Sequence, residues 1–134
     1  MRVVFVGAFL FMLGLFFHVS GGRLEGLIHP VVTKGEITRT EVVGETGTRI
    51  WGHAQRLRDC NFVGLSWRLG DLSHYSVADL IFEEGTHVRP GGYFDFGPWV
   101  VQLTPDQLDS GSYAIVYHRC HPLWVTETFF FGDP

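Results

Sequence analysis

The stretch Phe62-Val63-Gly64-Leu65-Ser66-Trp67-Arg68-Leu69 sets Val63, Leu65, Trp67 and Leu69 on one face and Phe62, Gly64, Ser66 and Arg68 on the other. That alternation is the two-residue period of a β-strand with one buried face. Working outward, Tyr113 to Arg119 and Trp124 to Phe131 read as a strand pair around His121-Pro122-Leu123. Glu36 to Val43 and Thr48 to Leu57 read as a hairpin, because Gly44-Glu45-Thr46-Gly47 supplies two residues free to take positive φ. Ser76 to Glu83 gives a further strand, and Tyr93 to Phe96 and Trp99 to Leu103 give two more, divided by Gly97-Pro98. Short strands punctuated about every eight to twelve residues predict an all-β domain, an antiparallel sandwich or barrel.

Composition sets the outer bounds. The 134 residues leave room for one domain, and 46% hydrophobic with 18% charged residues is the balance of a chain that folds around a core. A net charge of -4 with no Lys/Arg cluster argues against nucleic acid as a partner, since no row of cations exists to neutralise phosphates.

Ahead of the strands, Met1 and Arg2 give a short positive start and Val3 to Phe17 an apolar run broken only by Gly7, Ala8 and Gly14. This is the pattern of a signal-peptide core, with Val19-Ser20-Gly21 as an acceptable cleavage site. The rival is an uncleaved anchor: Val3 to Val19 is seventeen residues, at the lower limit for crossing a bilayer core of about 30 Å. The expected organisation is residues 1–22 as signal peptide or signal anchor, 23–35 as linker, and 36–134 as the β-domain. Either use of the leader puts the domain outside the cytoplasm, secreted, periplasmic or membrane-anchored. Two cysteines there are read first as a disulfide, Cys60 with Cys120, closing a loop that stabilises by roughly 4 kcal/mol in the chain-entropy model.

The segment Leu103-Thr-Pro-Asp-Gln-Leu-Asp109-Ser110-Gly111-Ser112-Tyr113 resembles the corner before strand F in immunoglobulin-like β-sandwich domains, where Asp-x-Gly-x-Tyr recurs. The resemblance makes Tyr113 a corner tyrosine whose hydroxyl bonds to nearby backbone, and Trp67 the tryptophan of strand C. It departs from the family at Ile115 and Ala54, where the inter-sheet cysteines would stand. The resemblance also makes strands C and F antiparallel neighbours, so Cys60 at the start of one lies beside Cys120 at the end of the other. Facing these two sets Val63 opposite Tyr117, Leu65 opposite Ile115 and Trp67 opposite Tyr113, all six on one face, with Phe62 near His118. In general architecture the chain is also similar to small exported proteins of bacteria and their phages.

The densest group of metal-ligating types is His118-Arg119-Cys120-His121, with Cys60 brought close by that register. Cys60, His118, Cys120 and His121 are the donor set of an alternative reading, an exported metal-binding or redox protein. No nucleophile elbow, His-Glu-x-x-His pair or phosphate-cradling loop is present, so neither an enzyme nor a cofactor is expected. Trp124 and the run Phe129-Phe130-Phe131 form a candidate binding surface, because three successive Phe on a regular strand must expose at least one. The primary expectation is therefore a non-enzymatic extracytoplasmic binding or structural module whose partner is a protein or surface ligand, touching a membrane only through the leader.

Overall fold

The computed structural model describes residues 1–134. In chain order it contains α1 (Arg2–Ile28), β1 (Glu36–Val43), β2 (Gly47–Gln55), β3 (Asn61–Gly70), β4 (Tyr75–Ala78), β5 (Leu80–Phe82), β6 (His87–Val88), β7 (Tyr93–Val101), α2 (Pro105–Asp109), β8 (Ser112–Arg119) and β9 (Thr126–Phe131). The strands form two antiparallel sheets, one in the order β1-β2-β7-β5 with β6 also on β7, the other β4-β3-β8-β9. Alternation on the strands turns one face of each sheet to a shared core. Ile50, Ala54, Phe96, Trp99 and Val101 come from the first sheet, and Trp67, Ala114, Val116 and Phe130 from the second. Phe96 stacks on Trp99 with centroids 4.6 Å apart and meets Phe130 edge-on at 5.2 Å, joining the sheets through aromatic contact.

The expected hairpin of Glu36–Val43 and Thr48–Leu57 and the strands over Phe62–Leu69 and Tyr113–Arg119 are present within two residues of their expected ends. Five features differ. The single strand expected over Ser76–Glu83 breaks at Asp79, so that β4 pairs with β3 while β5 crosses to β7 in the other sheet. Conversely, Tyr93 to Val101 is one strand, because Gly97 and Pro98 sit at a bulge opposite Ile50–Gly52, where a proline removes no ladder hydrogen bond. Gly97 has φ +102, and a Cβ there would collide with the Ile50 carbonyl. Ahead of β8, Thr104-Pro105-Asp106-Gln107 forms a capping box that opens the short α2.

The most instructive difference is the β3–β8 register. Asn61 faces Arg119 and Phe62 faces His118 as expected, but Val63 is extruded as a bulge, after which Gly64 faces Tyr117, Trp67 faces Ala114 and Arg68 faces Tyr113. One extra residue flips every later side chain relative to the simple pairing. The expectation that Val63, Leu65, Trp67, Tyr113, Ile115 and Tyr117 share a face is therefore overturned. Trp67 points to the core with Ala114 and Val116, donating its indole N–H to Ser112 Oγ at 3.2 Å. Tyr113 and Ile115 are buried on the opposite side of the sheet. The Tyr113 hydroxyl donates to a backbone carbonyl, that of Asp71 in the β3–β4 turn, at 3.2 Å.

Residues 23–35, expected as a linker, are built into the domain instead. Helix α1 runs on through Ile28, and Val31 and Val32 are core residues, the latter bridged to Arg56. The sulfurs of Cys60 and Cys120 are at disulfide-bonding distance, with Cα atoms 4.6 Å apart.

Candidate functional site

The last two turns of α1 lie along β9, and three glycines make this approach close enough. Gly21 lies under the Trp124 ring, Gly22 against the Val125 carbonyl and Gly26 against the Glu127 carbonyl, each so near that an added Cβ would collide. Gly22 and Gly26 are four apart and so share one helix face, the small-xxx-small arrangement that lets a helix backbone touch its neighbour. Next to them, Glu25 is the polar centre of the seat. Its Oε1 accepts from Arg58 Nη1 at 2.8 Å. Its Oε2 accepts from Trp124 Nε1 at 2.7 Å and Thr126 Oγ1 at 3.0 Å, and pairs with His121 Nε2 at 2.8 Å. Desolvation pushes the Glu25 carboxyl up, but the hydrogen bonds from His121, Trp124, Arg58 and Thr126 together outweigh it and hold the pKa down at about 2.

The rest of α1 has no such contacts. From Met1 to Val19 every residue is exposed, and the helix is long and apolar enough to cross a membrane by length and composition. Strand pairing shows where it leaves the domain. Asn61, Arg119 and Thr126 lie at one end of the second sheet, since Asn61 faces Arg119 and His118 faces Thr126. Gly21, Gly22 and Gly26 meet residues 124, 125 and 127 in ascending order, so α1 runs parallel to β9, and its apolar part continues outward past that same end, where the disulfide lies.

A cavity of about 350 Å³ opens between the sheets at this end. Phe62, Leu65, Val116, His118 and Phe130 line it from the second sheet, and Phe82, Val88, Phe94 and Trp99 from the first. Arg56, Glu84 and Thr86 supply its polar edge. His118 is 6% exposed, packs edge-on against Phe62 at 5.8 Å, and leaves its Nδ1 without a hydrogen-bond partner. Burial foremost, and then the charge of Arg56, push the His118 pKa down, so the ring is neutral near pH 7.

The four residues of the alternative donor set are parted. Cys60 and Cys120 are joined to each other, His118 lines the cavity and His121 is held by Glu25. The candidate aromatic surface is likewise consumed within the chain. Trp124 covers Gly21, and Phe129 packs on Tyr113 at 6.4 Å. A bulge at Phe130 turns both Phe130 and Phe131 toward the core, where Phe131 lies 5.1 Å from Trp67. Three successive Phe need not expose one when the strand is bulged.

Glu25, Gly22 and Gly26 were not among the expected site residues. Their signal lay in the sequence: a single carboxylate inside a Gly-x-x-x-Gly pair, just after an apolar run, suits neither a lipid-facing turn nor a free linker. Compared with protein-family models, curated proteins and solved structures, the chain has no match in any of the three.

Proposed function

We propose that this chain is a non-enzymatic binding module on the outer side of a membrane, tethered by an uncleaved α1 and rigidly coupled to that helix. The observation carrying this reading is the division of labour within one continuous helix. Residues up to Val19 are apolar and unpacked, whereas Gly21–Ile28 are seated on β9 by glycine contacts and by Glu25. An apolar helix of this length has no stable place in water, and a bilayer satisfies all its faces. The Cys60–Cys120 pair supports an oxidising compartment for the domain.

The strand orders β1-β2-β7-β5 and β4-β3-β8-β9 support an immunoglobulin-like sandwich, since they correspond to A-B-E-D and C′-C-F-G in that fold. The binding surface in this reading is the end of the domain nearest the membrane, where the cavity lies. Expression of the full chain in a bacterial host, followed by carbonate extraction and protease treatment of cells with a permeable outer membrane, tests it. The expected result is a chain that stays with the membrane and whose domain is digested from outside. Release by carbonate, or protection of the domain until the inner membrane is broken, overturns it.

A further inference from the structure

We infer that the cavity between the sheets receives one acyl chain of a phospholipid from the bilayer in which α1 is anchored. The inference rests on the anchor reading above and deepens it by naming the ligand class.

Position is the first support. The cavity wall includes Phe62 and His118, which face each other at the end of the second sheet that α1 passes on its way out. Arg56 and Gly92 belong to the same end, because the Arg56 N–H bonds the Gly92 carbonyl at 2.8 Å and only four residues separate Arg56 from the β3 start. The cavity is therefore next to the membrane surface. Two of the large apolar side chains that line it are themselves exposed: Phe62 is 59% exposed and Val88 68%. Exposed Phe and Val at the mouth of an apolar pocket are costly beside water and favourable beside lipid.

Size and lining are the second support. At about 30 Å³ per group, the share of one water in the liquid, the cavity of about 350 Å³ holds on the order of a dozen methylene-sized groups, the scale of one hydrocarbon tail. Its walls are aromatic and aliphatic, and its polar groups are gathered in Arg56, Glu84, Thr86 and His118. That division fits an amphiphile, with the tail between the sheets and the head at the polar edge. The unpartnered His118 Nδ1 is the third support. A buried ring nitrogen without a partner is unfavourable, and such an atom marks a place where another molecule can complete the bonding. An ester or glycerol oxygen of a lipid brings that partner.

The test uses the full chain in lipid nanodiscs that contain a phosphatidylcholine with a photoreactive diazirine on one acyl chain. After illumination, mass spectrometry of the digested protein locates the adducts. Adducts are expected both on α1 between Val3 and Val19 and on Phe62, Leu65, Val116 or Phe130. Val116→Phe fills the cavity, and loss of the burial of two methylenes already lowers cavity labelling by about tenfold while helix labelling stays unchanged. Leu65→Trp fills it from the neighbouring strand of the same sheet and serves if the first variant misfolds.

Helix adducts without cavity adducts, or cavity adducts unchanged in both filled variants, overturn the inference and leave the anchor standing. Absence of helix adducts overturns the anchor and the inference with it. Cavity labelling that an apolar peptide displaces but excess unlabelled phospholipid does not also overturns it, in favour of a protein ligand.

Discussion

Replacing Glu25 by Gln removes the one anion that holds α1, β9 and the Arg58 and His121 loops together. Four groups converge on this carboxylate at 2.7 to 3.0 Å, and its side chain is only 16% exposed. Its pKa falls from an ordinary 4.5 to about 2, and at about 1.36 kcal/mol per unit this is a stabilisation of about 3 kcal/mol in the ionised state. Gln keeps one acceptor but turns an NH₂ toward donors, so a loss of about 2 to 3 kcal/mol is expected at pH 7.

The folded-state pKa lies below the unfolded one, so the stabilisation is complete above about pH 4.5 and disappears as the pH falls toward 2. Urea unfolding of the full chain in non-ionic micelles, followed by tryptophan fluorescence, measures both effects. The gap between wild type and Glu25→Gln is expected to be widest above pH 4.5 and to close toward pH 2. A loss under about 0.5 kcal/mol at pH 7, within the range of an ordinary surface substitution, refutes the role given to Glu25.

Gly26→Val is expected to unseat the helix, because its Cβ collides with the Glu127 carbonyl; the cost is about 2 kcal/mol or more, and amide exchange on β9 should rise in the same variant. Replacing both Cys60 and Cys120 by Ser opens a 60-residue loop and should cost roughly 4 kcal/mol in the chain-entropy model, read as a fall in the urea midpoint. Tyr113→Phe removes the bond to the Asp71 carbonyl and the hydroxyl's contact with Arg68 while keeping the buried ring, and should cost about 1 kcal/mol, whereas Trp67→Ala empties the core and should cost about 3 to 5 kcal/mol. A loss for Tyr113→Phe as large as that for Trp67→Ala would contradict a role for the hydroxyl limited to these polar contacts.

Much of the fold is legible in residue patterns because burial on one sheet face writes a period of two into the sequence. The β1–β2 hairpin, β3 and β8 follow from that period and from their glycines. The cysteines are legible because they flank the antiparallel pair. Bulges leave no such trace. Val63, the Gly97-Pro98 pair and Phe130 each add residues to one strand without changing its composition, and each redirects side chains that the plain alternation had assigned. That is why Trp67 and Tyr113 part company, and why Phe130 and Phe131 both reach the core.

The helix seat was hidden for another reason. A signal-like leader directs attention to its apolar run, and Gly21 to Gly26 then resemble a cleavage region and linker, although their spacing suits close packing. The cavity was out of reach altogether, because it combines residues from β3, β5, β6, β7, β8 and β9 that only the tertiary arrangement brings together.

Intact-mass measurement of the chain extracted from membranes, without reducing agent, bears most directly on the coupling of helix to domain. A mass that retains Met1–Val19, less the two hydrogens lost when Cys60 joins Cys120, is the expected result. Recovery of a soluble chain starting near Gly22, folded and stable without the first twenty-one residues, would contradict it.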